Sequence, residues 1–158
     1  MMNNADMTGR GNYFEDFRVG QVMRHARGKT VTEMDNVMTT LLVMNTAQGH
    51  FNEHAMKSNR FGQRITFGGV NIATVVGLAM QDTGENAVRE LGMTGIRLKT
   101  PVFHGDTLYA YSEVLDTIDR GDPVGAEVVF HHWGVNERDE VVMEGTRRVL
   151  VRRRPAGR

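Results

Sequence analysis

Phe67-Gly68-Gly69-Val70-Asn71-Ile72-Ala73-Thr74-Val75-Val76-Gly77-Leu78-Ala79-Met80 is apolar nearly all round, with small residues interspersed. A helix with so little polar surface is expected to be buried on most of its faces. Its fourteen residues are too many for an ordinary strand, so it reads as a central helix beginning near Gly69 or Val70 and ended by Asp82-Thr83-Gly84. The glycine pair at its start leaves the helix amides open to close approach by a ligand, or the helix open to close packing.

C-terminal to this run the period changes to two. Met93 to Lys99, Thr107 to Leu115, Val124 to His132 and Val141 to Val151 alternate or nearly so. Gly105-Asp106, Gly121-Asp122-Pro123 and Asn136 to Asp139 supply turn chemistry between them. These read as consecutive antiparallel strands with one face against an apolar partner. Only the central helix is long and apolar enough for that role. The expected fold class is therefore α+β, a curved antiparallel sheet wrapped around one long helix.

On the N-terminal side, Val31-Thr32-Glu33-Met34-Asp35 has the form of a helix start, with Thr32 as N-cap and Asp35 as the capping-box acid. Met34, Val37, Met38, Leu41 and Leu42 follow at helical spacing, so a helix to about Met44 is expected, its methionines filling the core. Gln21 to Thr30 reads as a short strand or an extended loop, and Tyr13, Phe14 and Phe17 as aromatics capping a core edge. The expected organisation is a flexible arm over 1–12, a single domain over 13–153 and a basic tail over 154–158.

The chain has 158 residues, 40% of them hydrophobic, which suffices for one domain with a proper core. Nineteen basic residues balance nineteen acidic ones, so the whole-molecule field gives no reason to expect nucleic acid or a membrane as partner. The run Arg147, Arg148, Arg152, Arg153, Arg154 and Arg158 reads as the solvent face and tail of the last strand. With no cysteine there is no disulfide or thiolate chemistry. No secretory leader pattern or bilayer-length apolar run is evident, and the expected location is cytoplasmic.

Between the two helices lies Asn45-Thr46-Ala47-Gln48-Gly49-His50-Phe51-Asn52-Glu53-His54, where the chemically versatile side chains concentrate. His50 to His54 fits the H-x-x-E-H zinc pattern, which requires one helix to bring both histidines to a common face. Gly49 and the looped surroundings argue against that helix, so no metal is expected.

Five segments together resemble the MaoC-like (R)-specific enoyl-CoA hydratases, which have the hotdog fold. They are Tyr13 to Gly20, Thr30 to Asp35, the Asn45 to His50 spacing, Phe67-Gly68-Gly69, and Thr100-Pro101-Val102-Phe103-His104-Gly105-Asp106-Thr107-Leu108. The similarity runs from about Tyr13 to Arg153 and is closest to the mesaconyl-CoA or β-methylmalyl-CoA hydratase branch. In that family an aspartate and a histidine in a D-x-N-P-x-H type motif flank the double bond of an enoyl thioester. His50 matches the histidine, but Asn45 stands at the aspartate, and Ala47 and Gln48 stand at the asparagine and proline.

The resemblance implies an acyl-CoA hydratase or dehydratase in which His50 transfers the proton, Asn45 positions water or substrate, and the Gly69 amide stabilises the enolate oxygen. Coenzyme A enters as the substrate carrier, with no other cofactor, and Arg60, Arg64, Arg97 and Lys99 are candidates for its phosphates. A thioesterase and a non-catalytic acyl-thioester-binding subunit are the alternatives, the latter because an amide cannot exchange protons as a carboxylate does. At least a homodimer is implied.

Overall fold

The computed structural model describes residues 10–156. Residues 1–9 of the expected arm and Arg158 of the basic run lie outside the described residues. Arg10 and Asn12 hydrogen-bond to Asp82, and Asn86 donates to the Gly11 and Asn12 carbonyls.

Three helices and five strands follow: β1 (Val22–Thr30), α1 (Glu33–Leu42), α2 (Glu53–Met56), α3 (Gly68–Thr83), β2 (Ala87–Leu98), β3 (Thr107–Ile118), β4 (Gly125–Val135) and β5 (Val141–Arg152). The strands form one antiparallel sheet in the order β1-β3-β4-β5-β2. Helix α3 packs against β1, β3, β4 and β5, which is the hotdog arrangement.

Alternation does what the sequence suggested. Leu108, Ala110, Ser112 and Val114 of β3 are fully buried, whereas the intervening Tyr109, Tyr111 and Glu113 are only partly so. Gly134 lets the helix come close, because a Cβ there would lie 2.3 Å from the side chain of Val75 on α3. Phe17 caps one end of the core and meets the Phe130 ring edge-on at 5.1 Å. The stretch left open between strand and loop is β1, which pairs with β3 across a bulge between Arg24 and Gly28.

Four expectations change. First, β2 is not the neighbour of β3; it pairs with β5 at the far edge. Second, the apolar stripe of α1 does not fill the core. Its buried residues are Asn36 and Thr40, while Met34 is 73% and Leu42 76% exposed. Third, α3 is buried in the single chain mainly along Val70-Asn71, Val75, Ala79 and Asp82-Thr83, and Ala73, Gly77 and Met80 stay open. Fourth, Arg147 faces inward rather than to solvent. It is 1% exposed, donates to Thr83 Oγ1 at 3.0 Å and pairs with Glu90.

Beneath α3 runs a buried polar chain. His25 Nδ1 lies 2.6 Å from Asp82 Oδ2, His25 Nε2 lies 2.7 Å from Ser112 Oγ, and Ser112 Oγ lies 2.6 Å from His132 Nδ1. Burial, and then the charge of Arg147, push the His132 imidazole down to about 3, with His25 and His131 adding smaller effects. The unfolded chain therefore binds a proton on His132 between its ordinary value near 6.5 and about 3, where the folded chain does not. This contribution to stability is complete above pH 6.5 and is lost progressively as pH falls toward 3. In urea unfolding, stability should drop between pH 6.5 and 5, and His132→Phe should flatten that slope by up to about 1.4 kcal/mol per pH unit.

Candidate functional site

The chain leaves α1 through Met44, whose φ of 55° turns it sharply. Asn45 N–H then bonds the Thr40 carbonyl at 2.9 Å, and Asn45 Oδ1 accepts from Ala47 N–H at 2.9 Å, a side-chain turn of the kind asparagine favours. A single 3-10 turn over Gln48–His50 follows, and Asn52 caps α2 through Ala55 N–H. The turn presents His50 inward. Its Nδ1 lies 2.9 Å from the Ile65 carbonyl, which can only accept, so Nδ1 carries a hydrogen and Nε2 of the neutral ring is a free acceptor. The imidazole sits 5.5 Å from the Phe67 ring.

Asn36 fixes this loop to the start of α3. Buried completely, it donates from Nδ2 to the His50 carbonyl at 2.9 Å and to His104 Nε2 at 2.8 Å, with the Ile65 carbonyl at 3.3 Å. Its Oδ1 accepts from Phe67 N–H at 2.8 Å, the residue just before α3. His104 must be neutral to accept, and burial followed by the charge of Arg64 lowers its pKa in that direction.

The first N–H groups of α3 have no acceptor within the helix, so Gly68 and Gly69 point theirs out of its positive end. A Cβ at Gly69 would lie 2.5 Å from the Phe67 ring, and one at Gly68 would lie 2.3 Å from Leu98. Both glycines therefore serve close packing as well as exposing backbone.

Asn45, His50 and Gly69 meet in one cleft of about 630 Å³, together with Arg60, Lys99, Thr66 and Asn71. Phe61, Ile65, Phe67, Ile72 and Val102 make its walls largely apolar. Arg60 lies over the Phe61 ring at 4.5 Å, and Lys99 pairs with Glu144 at 2.8 Å. The other two phosphate candidates are elsewhere. Arg64 is held between Glu33 at 2.7 Å and Glu53 at 2.6 Å, and Arg97 lies opposite Glu144 on β2; neither lines the cleft. A second hollow of about 430 Å³, beside Arg89, Arg120 and Arg148, contains none of these residues.

His50 and His54 fall on different elements, the 3-10 turn and the four-residue α2, so the H-x-x-E-H spacing does not place them on one helix. Asn36, His104, Thr66 and Asn71 were not legible as site residues. The single signal for Asn36 was a polar residue one turn behind Thr40 on the side of α1 opposite its apolar stripe. Asn36→Ala strands the Phe67 N–H and the His50 carbonyl, and should lower stability in chemical denaturation by at least about 2 kcal/mol.

The profile of the mesaconyl-CoA hydratase family matches residues 22–153. The chain is 36% identical over 112 residues to the β-methylmalyl-CoA dehydratase of Chloroflexus aurantiacus, covering 71% of this chain and 32% of that protein. In structure it is similar to a protein described as a MaoC domain dehydratase from Chloroflexus aurantiacus, with TM-score 0.85 and 29% identity over 93% of this chain and 46% of the other. The MaoC-like dehydratase of Rhodospirillum rubrum superposes with TM-score 0.79 and 25% identity, covering 92% of this chain and 99% of its own. The chain spans 32% and 45% of the length of the first curated relatives it matches. With the profile covering most of its length and the hotdog core in place, the chain belongs to the mesaconyl-CoA hydratase family of MaoC-like proteins.

Proposed function

We propose that the chain adds or removes water across the α,β double bond of a short, branched enoyl-CoA of the mesaconyl-CoA kind. The observation that carries this reading is the convergence of His50, Asn45 and the amide end of α3 in one apolar cleft. Hydration requires a base for water, an acid for C2 and donors for the enolate oxygen. His50 Nε2, with its tautomer fixed through Ile65, takes the proton from water and returns it to C2. The Gly68 and Gly69 N–H groups receive the developing oxyanion, helped by the positive end of a sixteen-residue helix. Asn45, whose Oδ1 accepts from Ala47 N–H, contributes its NH2 group as a donor and keeps a second lone pair on that oxygen for water. Arg60 and Lys99 meet the phosphates of coenzyme A, the carrier of the acyl group, a role supported by their lining the cleft.

The partner in this reading is a second hotdog unit, supplied as another copy of the chain. Three observations support it: β2 is a twelve-residue open edge, α3 is covered on one side only, and several relatives are about twice as long. An uncovered edge of that length is a pairing hazard that dimerisation removes. Among the described residues, no helix is long and apolar enough to cross a membrane.

Incubation with mesaconyl-CoA should bleach the conjugated thioester and add the mass of one water, and His50→Ala should lower the rate by at least about 100-fold. Full activity in His50→Ala removes the mechanism. Free thiol without hydration indicates a thioesterase, and tight binding without turnover indicates the non-catalytic subunit that the Asn45 amide would suit.

A further inference from the structure

The Asn36 amide has fixed partners for its oxygen and for both its hydrogens, and one of those partners titrates. Oδ1 accepts from Phe67 N–H at 2.8 Å, which sets the way the amide faces, because a backbone N–H can only donate. One Nδ2 hydrogen goes to the His50 carbonyl at 2.9 Å and the other to His104 Nε2 at 2.8 Å, with the Ile65 carbonyl a longer third contact at 3.3 Å. That Ile65 carbonyl also accepts from His50 Nδ1 at 2.9 Å. His104 therefore reaches the His50 loop through a single amide, although neither His104 nor Asn36 lines the cleft.

A tied turn holds the His104 ring against the first turn of α1. Gly105 N–H bonds the Val31 carbonyl at 2.8 Å, and Val31 N–H bonds the Asp106 carbonyl at 2.9 Å. Gly105 has φ 98°, which glycine adopts without strain, and Asp106 Oδ2 accepts from Phe103 N–H at 2.9 Å. An imidazole accepts at Nε2 only while it is neutral with its hydrogen on Nδ1. Once protonated, it sets an N–H against the Asn36 N–H, two donors 2.8 Å apart. Turning the amide over is no remedy, because Phe67 N–H would then face an NH2 group and the His50 carbonyl an oxygen. The charged groups around the ring are Arg64 from the loop before α3, Glu33 from α1 and Glu53 from α2. Asp106 on its own turn is paired with Arg138 at 3.1 Å. Burial, and then Arg64, push the imidazole below the ordinary histidine value, so the accepting form is the one present at neutral pH.

Resting on the hydratase reading, we propose that His104 is a positioning residue whose neutral ring holds the Asn36 amide, and through it the His50 loop and the start of α3. Protonation of His104 releases the amide, so acidification misaligns the site by a step separate from protonation of His50 itself. The positioning is complete above the pKa of His104 in the folded chain and is lost as pH falls through it.

The test is the pH profile of kcat on mesaconyl-CoA for wild type, His104→Gln and His104→Leu, with thermal melts over the same range as a folding control. His104→Gln keeps an acceptor and does not titrate, whereas His104→Leu has none. At neutral pH His104→Leu should lower kcat by about tenfold with KM little changed, because displaced reacting groups slow the chemical step, and His104→Gln should stay within about threefold of wild type. On the acid side wild-type kcat should fall more steeply over part of the limb than one proton allows, and the His104→Gln limb should fit a single proton. Long-range proton–nitrogen NMR spectra should show the His104 hydrogen on Nδ1 at neutral pH. If His104→Leu does not fold, the His104→Gln profile and the spectra carry the test. A His104→Gln variant as impaired as His104→Leu, an acid limb unchanged in His104→Gln, or a His104 hydrogen on Nε2 overturns the proposal. A lowered melting temperature with unchanged kcat in His104→Leu also overturns it, by assigning the ring to stability alone. If wild type does not hydrate the ester, the hydratase reading falls and this proposal with it; wild-type turnover with unaffected variants removes this proposal alone.

Discussion

One buried amide joins the parts of this molecule that form its cleft. Asn36 sits on α1, yet its hydrogen bonds end on the His50 loop, on His104 before β3 and on the residue that opens α3. Its Nδ2 and Oδ1 have to be filled at once, because a buried amide left half-satisfied costs more than the bond it loses. The His50 carbonyl and the Phe67 N–H are therefore held about one amide group apart. That spacing sets the histidine against the helix end, and the cleft between them is its consequence.

The same requirement explains why α1 is turned as it is. A helix anchored by Asn36 and Thr40 faces its polar side inward, so Met34, Met38, Leu41 and Leu42 face away from the core. Exposed apolar residues in one stripe mark a surface suited to contact rather than to water. Together with the open β2 edge and the uncovered side of α3, this stripe describes a single chain whose apolar surface exceeds what its own core can bury.

Polar groups also organise the opposite end of the core. The chain from Asp82 through His25 and Ser112 to His132 joins α3, β1, β3 and β4, and Arg147 adds β5 through Thr83. These links pin the C-terminal half of α3 while Asn36 pins the approach to its N-terminus. The helix that bears the site amides is thus fixed at both ends by buried hydrogen bonds, with close apolar packing such as Val75 on Gly134 between them. Preorganised donors of this kind stabilise developing charge without having to move.

Local features of the sequence determined the elements themselves. Thr32 and Asp35 form the capping box that their spacing implied, because that bond pattern involves residues three apart. Period-two alternation placed the strands from Met93 onward, and the long apolar run gave α3 within a residue or two at its start. His50, Asn45 and Gly69 were legible through motif spacing and glycine pairing, and the fold gathers them in one cleft. Tertiary structure alone decided which strand lies beside β5, which face of α1 points inward and that Arg147 is buried. It alone brought His25 to Asp82 and Ser112, across separations of 57 and 87 residues. The physical reason is one of range: caps and periodicity act within a few residues along the chain, whereas the partners of a buried polar group are chosen by whatever the packed fold sets beside it.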